Sequence, residues 1–141
     1  MKIIHIILFY LLSINISNAQ FSLDSSRIVV LNNLNTIRSK SLSIDDNLNF
    51  KAQQYSIKLG NIINSTKGTT YTIQHSTLKY NESICVTKFI HSGVSQLINS
   101  IEHKKHILGI NNNDTKIGIG IYQFTNPNMS NYYLIVVLTS L

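Results

Sequence analysis

The residues best suited to chemistry lie between positions 75 and 106. Four of the five histidines and two of the six carboxylates of this 141-residue chain fall in that stretch. Two imidazoles and one carboxylate that converge on a cavity can hold a divalent cation and leave one coordination position open, as accessible zinc sites do. They can instead share a proton and act as acid and base. They can also form a polar network that only satisfies its own hydrogen bonds.

Three residues of this stretch stand in short motifs that resemble those of a known family, and that resemblance implies that they share such a site, namely His75, Glu82 and His103. Their candidate cofactor is Zn²⁺ or another divalent cation, although the pattern does not require a cofactor. Glu102 and His106 are weaker candidates. Glu102 adjoins His103, and adjacent residues of a helix face different ways. His106 follows His103 by three residues and can share its helix face, but exposure on the surface is expected for it.

Two further residues of this region are expected to have no chemical role. Cys85 is the only cysteine, so no intrachain disulfide can form. Its neighbours Ile84 and Val86 favour a small core residue over a catalytic thiol. His91 has no motif around it and is expected on the surface.

Helices are predicted in the first half of the chain and around position 100. The first follows the capping residues 24–26, and its apolar stripe consists of Ile28, Leu31, Leu34 and either Val30 or Ile37. The second opens at residues 45–46 and carries on one face Leu48, Ala52, Tyr55, Leu59 and Ile62. The third is capped by Ser92-Gly93, carries Val94, Leu97, Ile98 and Ile101, and continues as a helical turn over residues 103–108.

The clearest β pattern lies near the C-terminus. Residues 116–124 alternate isoleucine with glycine, which places the isoleucines on one face and leaves the glycine face open to close approach by another element. Residues 125–131 make the turn, and residues 132–138 form an apolar run typical of a strand covered on both faces. Shorter strands are predicted at 71–73 and 84–86. This order predicts an α+β fold with helices packed on an antiparallel sheet.

The N-terminus predicts export. A lysine precedes a mostly apolar run over residues 3–16, and small residues then occupy the positions that a signal peptidase requires. The run is short and interrupted, which disfavours a stable membrane span, with an uncleaved anchor as the alternative. Residues 1–19 are therefore predicted to be a secretory signal peptide cleaved at Ala19 or Gln20, and residues 20–141 to be a single domain.

The number and distribution of charged residues indicate which kinds of partner are expected. The formal net charge is +6, and the lysines are scattered rather than clustered. The pattern of basic, aromatic and arginine residues typical of a nucleic-acid interface is missing, so no nucleic-acid partner is expected. A solvated basic surface with some attraction to anionic membranes is expected instead.

The motifs resemble, in sequence order, those of the CAP superfamily (cysteine-rich secretory proteins, antigen 5 and pathogenesis-related 1 proteins), and most of all its compact, cysteine-poor branch with an SCP-like domain. The similar pieces are residues 31–38, residues 45–53, His75-Ser76, Asn81-Glu82-Ser83, Asn99-Ser100 with His103 and Ile107-Leu108, Ile117-Gly118-Ile119-Gly120, and residues 133–138. Together they lie within residues 28–138, nearly the whole predicted mature chain.

The chain departs from the family pattern at five positions. Asn81 and Ser83 stand where the family has glycine and asparagine. Leu97 replaces the usual helix tryptophan, Glu102 a glycine, and Lys104 an arginine.

The resemblance implies a three-layer α-β-α sandwich with a central antiparallel sheet and a cleft lined by His75, Glu82 and His103. It also implies a secreted, extracellular location, with lipid or sterol binding in some members and interaction with host or microbial components in others. We therefore predict a monomeric binding or effector module rather than an enzyme. The alternative is a metal-dependent hydrolase that uses the same cleft.

The first prediction concerns processing. N-terminal sequencing of exported protein is expected to begin within a few residues of Gln20, because small residues flank the apolar run at the cleavage positions. An exported protein that retains residues 3–16 would show the run to be an anchor.

Overall fold

A computed structural model describes residues 23–66, 80–108 and 115–139 of the chain. Helix α1 covers residues 23–35. The elements that follow are β1 (Ser43–Ile44), α2 (Asp46–Ser65), β2 (Asn81–Thr87), α3 (Ile90–Asn99), α4 (Ile101–Leu108), β3 (Lys116–Gln123) and β4 (Tyr133–Thr139). In the described part of the chain no helix is long and apolar enough to cross a membrane. The strand predicted at 71–73 lies outside the described residues.

The strands form a four-stranded mixed sheet in the order β1-β3-β4-β2. β4 pairs antiparallel with both β3 and β2, as the sequence predicts. The sheet differs from the predicted antiparallel one in β1, a two-residue strand that pairs parallel with the start of β3. The fold is therefore mixed α/β, and its sheet is not purely antiparallel, because the link between α1 and α2 runs alongside β3.

The hairpin of β3 and β4 is the centre of the core. The isoleucines of β3 all lie on one face, in a cluster with Val30 and Leu34 of α1, Val94 and Leu97 of α3, and Ile107 of α4. Residues 134–138 of β4 are at most 1% exposed, so this strand is covered on both faces. Both features confirm the predictions from the isoleucine–glycine alternation and the apolar run.

The glycine face of β3 is covered by the backbone of α2. A Cβ atom on Gly118 would lie 2.2 Å from the carbonyl of Leu48, and one on Gly120 would lie 2.0 Å from the carbonyl oxygen of Ala52. Side chains at these positions would push the helix away from the sheet. The close approach predicted from the glycines is therefore confirmed, and the approaching element is α2.

Side chains of α2 complete the edge of β3 beyond the short strand β1. Asn49 Oδ1 accepts the N–H of Ile119 at 3.0 Å. Gln53 Oε1 accepts the N–H of Ile121 at 3.1 Å, and its Nε2 donates to the carbonyl of the same residue at 3.0 Å. Asn49 and Gln53 lie one helical turn apart, so one face of α2 substitutes for a neighbouring strand.

Arg27 connects α1 to this edge, and the sequence gives no hint of it. The residue is only 6% exposed. Its guanidinium donates to the carbonyl of Ile119 at 3.0 Å and to Gln53 Oε1 at 2.8 Å, and it forms an ion pair with Asp24 at 2.7 Å. A buried arginine needs such a set of acceptors, since an unpaired buried charge is strongly destabilising.

The predicted apolar stripe of α1 is partly wrong. Val30 and Leu34 are fully buried, but Ile28 is 52% exposed. Asp24 lies within the helix rather than capping it. The reason is Arg27, which occupies the sheet-facing position and turns Ile28 towards solvent.

The boundaries of the other helices also differ in part from the predictions. Asp45 caps α2 as predicted, accepting the N–H of Leu48, but the buried stripe ends in Ile63 and not in Ile62, which is 51% exposed. α3 begins at Ile90 rather than after a Ser92-Gly93 cap.

The junction between α3 and α4 also differs from the prediction of one continuous helix. α3 ends at Asn99, and α4 then starts at Ile101, whose side chain is 73% exposed. Ile101 was predicted to continue the buried stripe, but the interruption at Ser100 turns it outwards. The helical turn predicted over residues 103–108 is confirmed as part of α4.

The edge contact on β3 generates the second prediction. Gln53→Leu leaves the N–H and the carbonyl of buried Ile121 without their partners and should lower the free energy of unfolding by about 2–4 kcal/mol. Gln54→Leu is the matched control, since Gln54 is exposed, and should change stability by at most about 0.5 kcal/mol. Chemical denaturation compares the two variants. Equal unfolding free energies would show that Gln53 does not hold the edge.

Candidate functional site

Glu82 lies on β2 with its side chain on the face that α2 covers. It is paired in register with Leu138 of β4 and shares a face with Ile84, a member of the cluster that packs against α2. Glu82 is 7% exposed. The hydroxyl of Tyr55 on α2 donates to its Oε1 at 3.4 Å. The candidate carboxylate is therefore buried between the strand and the helix.

A second pair of side chains lies beside this carboxylate. Lys51 Nζ donates to the hydroxyl of Tyr80 at 2.5 Å and lies 5.0 Å from the centre of the Tyr80 ring. Lys51 and Tyr55 are one turn apart on α2, while Tyr80 directly precedes β2 and lies two residues before Glu82. We refer to these four residues as the α2–β2 polar cluster.

Three members of this cluster are not predicted from the sequence. Tyr55 is predicted on the apolar stripe of α2, and Lys51 and Tyr80 have no predicted role. The available signal was spacing, since residues four apart on a helix share a face and residues two apart on an extended chain do so as well. The sequence does not show that this face of α2 packs against the start of β2.

His103 lies on α4, which packs on the other face of the sheet. It is half-buried and stands one turn before Ile107, which is 1% exposed and part of the cluster around the β3 isoleucines. Because residues four apart share a helix face, His103 lies on the side of α4 that faces the sheet. Arg38, which follows α1, donates to the carbonyl of Ile107 and holds the end of α4 against the rest of the fold.

Glu82 and His103 thus approach β2 from opposite faces. β2 is the last strand in the described sheet order, so a site that contains both side chains must extend around the outer edge of this strand. His75 lies outside the described residues, and its place in such a site stays a prediction. Among the residues that the structure describes, no group of three or more His, Cys, Asp and Glu side chains could hold a metal ion.

The weaker candidates lie apart from the α2–β2 polar cluster. Glu102 is exposed on α4, with Lys105 Nζ 3.7 Å from its carboxylate. The side chain of His106 lies outside the described part of the structure. His91 is exposed on α3, as predicted, with its Nδ1 3.5 Å from the side-chain amide of Asn33.

Cys85 is a core residue, as predicted. It is 8% exposed, and its Sγ donates to the carbonyl of Gly93 at 3.5 Å. A Cβ atom on Gly93 would lie 3.1 Å from this sulfur, so α3 packs directly on the thiol. Burial raises the pKa of the Cys85 thiol from 9.0 to about 12, which keeps it protonated and unreactive at neutral pH.

Comparisons with known proteins identify a structural relative. No family model matches the chain, and no curated protein matches it in sequence. The fold is similar to that of an outer surface protein from Borrelia burgdorferi, with a TM-score of 0.63 and 22% sequence identity. The similarity covers 82% of this chain and 91% of that protein. At this identity the likeness shows the fold alone.

The buried thiol generates the third prediction. Iodoacetamide should leave Cys85 unmodified in the native protein at mildly alkaline pH and should modify it when the chain is unfolded, because burial disfavours the thiolate. Ser130→Cys, in the exposed β3–β4 turn, is the control and should react at once. Mass spectrometry gives the extent of modification. Equal rates at both positions would contradict the burial.

The same pKa shift sets a pH dependence. Because the folded-state pKa is raised, the stabilisation from the neutral thiol is complete below 9.0 and is lost as the pH rises towards about 12. Cys85→Ala should remove this alkaline loss from the stability profile. An identical alkaline profile in the variant would show that other groups cause the loss.

Proposed function

We propose that this chain is an exported, CAP-like binding module whose ligand site is a cleft at the start of β2 containing Glu82. The proposal includes a three-layer α-β-α sandwich, with α2 on one face of the sheet and α1, α3 and α4 on the other. The packing of the two core clusters supports this arrangement, because the β3 isoleucines contact the three helices while the glycines contact α2.

The observation that carries the proposal is the burial of Glu82. Removing a carboxylate from water costs several kcal/mol unless cations or hydrogen-bond donors compensate. Tyr55 is one such donor, and because charge interactions are stronger away from water, a carboxylate only 7% exposed can also bind a cation or a donor group of a ligand more tightly than an exposed one. In the proposed cleft, which extends around the outer edge of β2, His75 and His103 supply imidazole nitrogens from one side, and Glu82 on the α2 side contributes its carboxylate or orients a histidine.

The groups around Glu82 support binding rather than catalysis. Lys51, Tyr55 and Tyr80 are hydrogen-bond donors that can orient a ligand. Cys85 is buried and protonated, so it does not serve as a nucleophile. Nothing in the described geometry favours the hydrolase alternative over a binding module.

Two observations support an extracellular or surface location. The structural relative is named as an outer surface protein, which describes that protein. In this chain, the apolar run over residues 3–16 has the character of a signal peptide. In this proposal the module acts as a monomer on an extracellular component, which is either a lipid or sterol or a molecule of host or microbial origin.

The fifth prediction tests the cleft with Zn²⁺. Calorimetric titration of the purified protein should show binding, and the affinity should fall as the pH drops through about 6.5, because protons compete for the imidazole nitrogens. His75→Ala, Glu82→Gln and His103→Ala should each weaken binding about tenfold or more. His91→Ala, which removes an exposed histidine on α3, is the matched control and should bind like the wild type.

Three outcomes would overturn parts of the proposal. A wild type without heat of binding would remove the metal site, as would equal affinities in all four variants, and the residues would then form a structural network. Metal-dependent hydrolysis of an ester or peptide, lost in Glu82→Gln while Zn²⁺ still binds, would establish the alternative hydrolase instead of a binding module.

A further inference from the structure

A buried hydroxyl at the end of β4 has no hydrogen-bond partner in the described part of the chain. It belongs to Thr139, which is 1% exposed, and its Oγ1 is buried. Side chains alternate along a strand, so Thr139 lies on the same face as Ile135 and Val137, which belong to the cluster around the β3 isoleucines. A valine would fill the same space without a polar atom to satisfy. An unsatisfied buried hydroxyl costs free energy, and a ligand that binds it would remove that cost.

Polar side chains lead from the outer edge of β2 to this hydroxyl. Thr139 is paired in register with Asn81 of β2 on one side and with Ile117 of β3 on the other. Directly opposite residues on one face of a sheet have Cβ atoms about 4.5–5.5 Å apart. Asn81 is half-buried, whereas Ile117 is fully buried and apolar. The row is therefore polar from the outer edge of β2 as far as Thr139, and apolar beyond it.

Helix α4 covers this end of β2. Helix α3 packs on the other end, since a Cβ atom on Gly93 would lie 2.6 Å from Cγ2 of Thr87 and 3.1 Å from the sulfur of Cys85. Helix α4 packs on the same strand, and the first half of β2 is left for it. Because His103 lies on the side of α4 that faces the sheet, His103 and Thr139 share the layer between this helix and the sheet.

We propose that Thr139 is a ligand-binding residue of the cleft, and that its hydroxyl hydrogen-bonds a polar group of the ligand on the α4 side of β2. This role rests on the proposed function, because it takes the cleft around the outer edge of β2 as given. It adds a property of the ligand. The part that lies beneath α4 carries a hydrogen-bonding group, since a wholly apolar chain would leave the hydroxyl unsatisfied. A zinc ion bound by three protein side chains keeps water in its open position, and that water is such a group.

Thr87 provides a matched control on the same face of the sheet. It is 3% exposed, and its hydroxyl is satisfied within the chain. Its Oγ1 donates to the carbonyl of Phe89 at 2.9 Å and accepts the N–H of Phe89 at 3.3 Å. Thr87→Val and Thr139→Val are therefore the same chemical change at two buried positions, one with hydrogen bonds to lose and one without.

Chemical denaturation of the metal-free protein and calorimetric titration with Zn²⁺ test the proposal together. Thr139→Val should raise the denaturation midpoint, because it removes an unsatisfied hydroxyl, and should weaken Zn²⁺ binding about fivefold, because it removes one hydrogen bond to the bound group. Thr87→Val should lower the midpoint and leave the Zn²⁺ affinity unchanged. Thr139→Ser keeps the hydroxyl and should bind Zn²⁺ like the wild type.

Two results would overturn the role of Thr139 while the proposed cleft stands. One is a midpoint that falls in Thr139→Val as it does in Thr87→Val, which would show that the protein itself satisfies the hydroxyl. The other is an unchanged Zn²⁺ affinity in Thr139→Val when His103→Ala loses binding. A wild type that binds no Zn²⁺ would instead remove the metal site itself, and the role of Thr139 with it.

Discussion

The contact on which the rest of the structure depends is the direct packing of the α2 backbone against Gly118 and Gly120 of β3. A methyl group at either glycine would overlap with backbone atoms of the helix. The absence of side chains lets Asn49 and Gln53 reach the peptide groups at the edge of β3. Those hydrogen bonds take the place of a longer neighbouring strand, which the two-residue β1 does not provide. The side-chain oxygen of Gln53 also accepts a hydrogen bond from Arg27, which joins α1 to the same edge.

The position of α2 also determines what surrounds Glu82. Because the inner side of the helix is fixed on β3, Lys51 and Tyr55 project towards the start of β2, where they meet Tyr80 and the buried carboxylate. The opposite side of α2 is left with Phe50 exposed to solvent. A variant that displaces α2 would therefore be expected to disturb the α2–β2 polar cluster as well as the edge of β3.

The structural relative shares the fold, and the proposed functions rest on side chains of this chain. At 22% identity most positions differ between the two proteins, so a common backbone does not transfer a ligand. In this chain those side chains are a buried carboxylate near two phenols and an ammonium group, and a histidine on the far side of the same strand. These features define the experiments that distinguish a metal-binding cleft from a structural network.

The sequence by itself determined the elements whose pattern is local. The alternation of isoleucine and glycine predicted β3 and its faces, the apolar run predicted β4, and Asp45 predicted the start of α2, because each depends on neighbouring residues alone. Only the tertiary structure decided which helix residues face inwards. An apolar stripe is about 100° wide or more, so adjacent residues such as Ile62 and Ile63 can each lie at its edge until a partner surface selects one. Arg27 is buried for a reason that no apolar pattern shows, namely its hydrogen bonds to Ile119 and Gln53. The same holds for the site, since Glu82 and His103 were candidates from their motifs, but register and packing placed them on opposite faces of β2.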